Sequence, residues 1–222
     1  MAKPIGFPAF LKLLELSDGP RRTELRKKLG GGSGFQYWRP VQVVAPKAIK
    51  PGADINLLKT EIDSLCSGHQ RQYNKNALIA FDKWIKGKSI TPIAGLPEIL
   101  VPFGNSGLDV RLKPDVSFEL EHNLFYLNLW ATTKPLLSMN TLSVGLLFCA
   151  SAYKTQGHAT HKHLILDTTG NRLFREDDIS PIAIHLLKDK VDAFKKDWDA
   201  LNPAPPPPPA SPTDQPGAPK SP

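Results

Sequence analysis

Five basic side chains, Arg21, Arg22, Arg26, Lys27 and Lys28, crowd together near the start of a chain of 222 residues. Cations at that density attract an acidic partner, and the phosphates of DNA or RNA come first among the candidates. Residues 1–50 hold 10 Lys or Arg against 3 acids, while residues 51–222 hold 18 of each, so the whole net charge of +7 lies in the first quarter. A solvated basic helix face with no partner is the plainer reading of the same cluster. Phe35, Tyr37 and Trp38 stand beside Arg39. Rings next to a cation can stack on bases, although anchoring an irregular segment in a core is the commoner use. His158, His161 and His163 form a third group. On a strand His161 and His163 would point to one side and, with Asp167, could hold zinc, but no cysteine is near and the spacing matches no strong metal motif.

The elements that must position these groups follow from periodicity. Gly107 to Lys134 organises the rest. In Val116–Glu121 the residues Val116, Phe118 and Leu120 alternate with Ser117, Glu119 and Glu121, which predicts a strand with one covered face. His122-Asn123 is a turn, and the apolar run Leu124–Trp130, interrupted mainly by Asn128, predicts a central strand buried on both faces. Before this stretch, Ile55, Leu58, Ile62 and Leu65 mark one helix face, with Asp54 as its N-cap. A second helix fits Gln70–Lys86, with Tyr73, Ala77, Ala80, Phe81 and Trp84 inward. Short strands are expected at Val41–Val44 and Ile99–Phe103. Leu137–Tyr153 predicts a heavily buried helix, His163–Asp167 a strand, and Thr169-Gly170-Asn171 a turn into Arg172–Phe174. Ser180 and Pro181 open a last helix whose Leu187, Val191, Phe194, Trp198 and Leu201 form one stripe.

Helices before and after one mixed sheet give an α/β (α+β) domain, a mixed central sheet flanked by helices. Three segments are expected: a basic N-terminal arm with a Gly-rich hinge (1–50), an α/β core (51–202) and a Pro-rich disordered tail (203–222). The run Gly30–Gly34 is a hinge rather than a phosphate loop, because no Lys-Ser or Lys-Thr pair follows it. No Gly-x-Ser-x-Gly elbow and no dinucleotide fingerprint is present. Cys66 and Cys149 read as buried free thiols of a reducing compartment. With neither a signal peptide nor an apolar span of membrane length in view, a cytoplasmic location without membrane contact is expected.

The order helix, three strands, helix, strand over about residues 55–168 resembles the core of the restriction-endonuclease-like superfamily. That resemblance implies an acid near the second core strand, often after proline, and a second acid and a lysine on the third. Hard divalent cations such as magnesium take carboxylate oxygens, and the lysine steadies developing charge on phosphate. Pro114-Asp115 matches the first element, with Asp109 as a second candidate on the preceding strand and Glu119 or Glu121 as substitutes for the later acid. Lys113 or Lys134 would supply the cation, and Glu61 a further acid. The third strand departs from the pattern: Leu127-Asn128-Leu129-Trp130 lacks both acid and lysine, and Asn128 stands where the acid would be. An amide binds a divalent metal less well than a carboxylate does. The resemblance therefore implies a degenerate member that binds without cutting and needs no cofactor, whereas an active nuclease would use Asp109, Asp115 and Glu119 with magnesium. By itself, an acid pattern of this kind is also the wet face of a sheet. The chain is similar, too, to uncharacterised bacterial proteins in Val110–Asp115, Leu127–Trp130 and Leu166–Phe174, which implies a bacterial cytosolic protein and no activity.

Three functions are then open. The first is a nucleic-acid-associated protein whose basic segment holds phosphates on a nuclease-like domain. The second is a protein-interaction or regulatory module using the last helix and the Pro-rich tail. The third is a metal-dependent nuclease.

Overall fold

A computed structural model describes residues 4–29 and 37–201. The expected glycine hinge and the Pro-rich tail lie outside the described residues, as does Phe35.

Two sheets, not one, carry the fold. The larger has five strands: β2 (Ile90–Pro92), β5 (Val116–Leu120), β6 (Asn123–Trp130), β7 (His161–Asp167) and β8 (Arg172–Arg175), adjacent in that order. The smaller has three: β1 (Ile5–Gly6), β4 (Asp109–Leu112) and β3 (Ile99–Pro102). Glu121 and His122 both have positive φ, which fits the tight two-residue turn joining β5 to β6 with Leu120 opposite Asn123. β6 then runs parallel to β7, and the crossover is α6 (Met139–Thr155), with the Ser138 hydroxyl accepting from the Thr141 N–H at its start. β6 is central and buried from Tyr126 to Trp130, as its apolar run requires.

Each face of the large sheet has its own core. On one face Tyr126, Trp130 and Ile165 meet α6, α1 (Phe7–Glu15) and α7 (Ala183–Leu201). On the other face Val116, Phe118, Leu127, Leu129, Leu164 and Leu166 meet α3 (Arg39–Ala48), α4 (Ile55–Leu65) and α5 (Gly68–Ile85). The parity of β6 sorts its side chains: Leu127 and Leu129 go to one core, Tyr126 and Trp130 to the other. Among the described residues no helix is long and apolar enough to cross a membrane.

Several expectations are corrected. Val41–Val44 is helical: Val41, Val44 and Ala45 lie 3 and 4 apart on one buried face, with Pro40 in the first turn, so spacing overrides the strand preference of valine. The strand Ile99–Pro102 leaves the main sheet and pairs with β4 instead. The described residues of the first 50 supply core. Phe10 is fully buried, with ring centroids 4.8 Å from Phe103 and 5.0 Å from Phe148, and Leu25 of α2 (Asp18–Leu29) joins the same cluster. At Gly145 of α6 a Cβ would come within 2.3 Å of a Leu11 methyl, so glycine is what lets α1 lie this close. The stripe on α7 is spent on packing: Leu187, Val191, Trp198 and Leu201 lie against the first core around buried Phe194. Gly107, at φ 77°, would place a Cβ 2.5 Å from Trp198 Nε1, which shows how closely the turn before β4 crosses this helix. Cys149 is buried, whereas Cys66, at the end of α4, is only half-buried; both are free thiols.

Candidate functional site

The polar groups closest to the expected chemistry gather where β5 begins and β6 ends. The Asp115 N–H donates at 2.9 Å to the carbonyl of Leu127, the residue that faces Val116, so the regular ladder ends at Val116 and Asp115 sits one residue beyond β5. Asp115 Oδ2 accepts from the Leu129 N–H at 2.8 Å, giving β6 a partner where the backbone of β5 has run out. Asn128 Nδ2 donates to the Lys113 carbonyl at 3.1 Å. Gln42, one turn into α3, donates its side-chain amide to Asp115. Burial pushes the Asp115 carboxyl up to about 7, against the pull of the Leu129 N–H, Gln42 and the Lys113 charge.

The start of α3 is fixed to the same edge. Trp38 Nε1 donates to Thr132 Oγ1 at 2.8 Å, two residues past the end of β6. Behind it lies Asn74 of α5, fully buried. Its amide donates to the Tyr37 carbonyl at 2.9 Å and its oxygen accepts from the Val41 N–H at 3.0 Å, while Gln70 Nε2 also reaches the Tyr37 carbonyl at 2.8 Å. These bonds hold Tyr37 and Trp38 against His69 and Tyr73. Ring centroids are 4.8 Å apart for Tyr37–Trp38, 5.7 Å for Tyr37–His69 and 6.3 Å for Trp38–Tyr73. Tyr73, expected inward, is 44% exposed, because it sits one residue off the face defined by Asn74, Ala77, Leu78 and Phe81.

The other expected site residues disperse. Asp109 is exposed on β4 of the small sheet, opposite Pro102. Glu119 lies toward the hairpin end of β5, about 13 Å along the strand from Asp115 at ~3.3 Å per residue, with its carboxylate 3.6 Å from the His122 ring. Glu61 pairs with Lys47. Among the described residues no three of His, Cys, Asp or Glu are grouped to hold a metal ion. The donors do not fit a magnesium ion: Asp115 is held by protein donors and Asn128 offers an amide.

The basic cluster is partly consumed. Arg21 is 3% exposed, with Nε 2.7 Å from Asp197 on α7, Nη2 2.8 Å from Asp18, and its guanidinium over the Phe194 ring. Arg22 Nε takes the other Asp197 oxygen at 2.6 Å. Asp197 is itself 1% exposed, so two of the five cations expected to meet phosphate share one buried carboxylate. Lys27 bonds Glu24 at 2.9 Å; Arg26 is exposed and Lys28 half-buried.

The histidines form an aromatic wall rather than a metal site. His161 stacks on Tyr126 at 4.4 Å and His163 on Tyr153 at 5.1 Å. His163 is 2% exposed, its Nδ1 has no hydrogen-bond partner, and burial, helped by His161, lowers its pKa to about 4. Asp167 closes the β7–β8 turn instead. Burial raises its carboxyl, but the Thr169 hydroxyl, Arg172 and the Gly170 and Thr169 N–H groups prevail and hold it low.

Sequence reasoning missed Gln42, Asn74 and Thr132. Asn74 alone carried a signal, a polar residue on the inner face of an amphipathic helix. In comparisons with known proteins, no family model matches the chain and no curated protein matches its sequence.

Proposed function

We propose that this protein binds nucleic acid on a restriction-endonuclease-like scaffold without hydrolysing it. The observation that carries the reading is the joint of β5 and β6, where the Asp115 carboxylate is taken by the Leu129 N–H and the neighbouring strand carries Asn128 in place of an acid. Around that joint, α5, β2, β5, β6, α6 and β7 follow the order helix, three strands, helix, strand, with β3 and β4 as an excursion into the second sheet. In an active metal nuclease the strand beside the first acid would carry a second carboxylate. Here it carries an amide already engaged by the Lys113 carbonyl. Binding then rests on phosphate contacts from cations that remain accessible: Arg26, Lys28, Lys27 beside Glu24, and Arg39 at the start of α3. The two free thiols suit a reducing, cytoplasmic setting.

Titration of labelled DNA and RNA followed by anisotropy, at two salt concentrations and with EDTA or magnesium, tests this. The expected result is salt-sensitive binding with the nucleic acid intact in both conditions. Absence of binding at low salt would overturn the reading. Metal-dependent cleavage that Asp115→Asn abolishes would replace it with an active nuclease.

A further inference from the structure

We propose that Tyr37, Trp38, His69 and Tyr73 form a stacking surface for unpaired bases, so that the strand recognised is single-stranded DNA or RNA. This rests on the nucleic-acid reading and names its substrate class. Four rings lie within 6.4 Å of a neighbour, in tilted or edge-to-face pairs. A core would cover such rings, yet His69 and Tyr73 are exposed, and Tyr37 and Trp38 are half-buried. The group is nonetheless fixed. Asn74 and Gln70 grip the Tyr37 carbonyl, Asn74 also takes the Val41 N–H, and Thr132 takes the Trp38 indole. Rings already ordered by the fold lose little freedom when a base lands on them.

Charge agrees with this occupant. Residues 37–50 and 64–81 contain no acid and hold Arg39, Lys47, Lys50, Arg71 and Lys75. Asp63 on α4 offsets Arg71 and Lys75, and Glu61 offsets Lys47. Arg39 and Lys50 are exposed toward either end of α3, and around the rings these five cations outnumber the two acids set against them. A duplex hides its base faces in its own stack and offers only phosphates to such a surface. A single strand offers both.

The test compares short oligothymidylate, oligouridylate and a duplex of equal length at low salt. The protein is the full chain, wild type and with Tyr73→Ala or His69→Ala. Both side chains are exposed, and circular dichroism checks that the fold survives. Single strands should bind about tenfold more tightly than duplex, and Tyr73→Ala should lower single-strand affinity about tenfold while leaving duplex binding unchanged. Binding should quench tryptophan fluorescence, and Trp38→Phe should remove most of that quenching. Tighter binding of either oligonucleotide supports the inference and tells DNA from RNA. Wild-type binding that neither Tyr73→Ala nor His69→Ala weakens would overturn the stacking surface but leave nucleic-acid binding standing. No binding of any probe would overturn both.

Discussion

The two helical layers on either side of the large sheet treat their conspicuous residues in opposite ways. On the side of α1, α2, α6 and α7, Arg21 is drawn into the interior against Asp197, and the half-exposed Arg22 takes the other oxygen of that carboxylate. On the side of α3, α4 and α5, the aromatic group is drawn only halfway in, and buried amides hold it at the surface. Part of the basic cluster thus became a structural joint, while rings whose commoner use is core anchoring stayed partly accessible. The difference is one of partners. α7 offered a carboxylate at the depth of Arg21, whereas the rings beside Tyr73 cover it only in part.

The joint is where the comparison breaks most visibly. Asp197→Ala leaves Arg21 buried without its carboxylate, and the expected loss is about 3–5 kcal/mol, read by denaturant unfolding. A loss below about 1 kcal/mol would mean that the pair behaves as a surface bridge and that α2 is free to meet phosphate.

The buried titratable groups give the next largest effect, and their signs oppose. His163 stays neutral in the folded protein down to about 4, whereas an ordinary histidine gains its proton at 6.5. Between those values the unfolded chain binds more protons, so this group's contribution is full above 6.5 and is lost as pH falls to about 4. The loss is roughly 3 kcal/mol at 1.36 kcal/mol per pH unit. Asp115 runs the other way. Its ordinary 3.8 is raised to about 7, so the folded protein binds the extra proton and stability falls as pH rises across that window. After discounting for its accessible edge, that is roughly 2 kcal/mol. As differences from wild type, the stability of His163→Phe should therefore fall as pH rises from about 4 to 6.5, and that of Asp115→Asn should rise from about 4 to 7. Flat difference profiles for both variants would show that neither group is held as described.

Asn74→Ala sharpens the second half of the comparison. It removes one of the two amides on the Tyr37 carbonyl and leaves the Val41 N–H without its partner, for an expected loss of about 2 kcal/mol. The Trp38 fluorescence should also shift toward that of an exposed indole; an unchanged spectrum would show that the rings hold themselves in place. Smallest of all, Arg26→Gln and Lys28→Gln together should change stability by less than about 0.5 kcal/mol yet shallow the salt dependence of nucleic-acid binding. An unchanged salt slope would remove α2 from the binding surface altogether.

Much of the fold was legible because its signals are local. Asp54 caps α4 as expected, its side chain accepting from the Asn56 N–H at 2.8 Å, and the Val116–Trp130 hairpin forms with β6 at the centre. Two of the short strands were not legible. Ile90–Pro92 and Ile5–Gly6 have too few residues to show a period, and each exists only because another strand offers it an edge. The candidate site was half legible: Asp115 and Asn128 stood out by type and spacing, whereas Gln42, Thr132 and Asn74 are ordinary residues made important by what lies opposite them.

The sequence by itself determined the helices α4 to α7, the β5–β6–α6–β7 succession and the surplus of positive charge, because apolar period, caps and composition are properties of neighbours along the chain. Only the tertiary structure decided that β3 and β4 would leave the main sheet for a second one, that Arg21 would be buried against Asp197, 176 residues away, and that Tyr73 would remain in solvent. Those outcomes depend on which surfaces meet, and burial, pairing and desolvation are set by contacts between distant segments that no local pattern encodes.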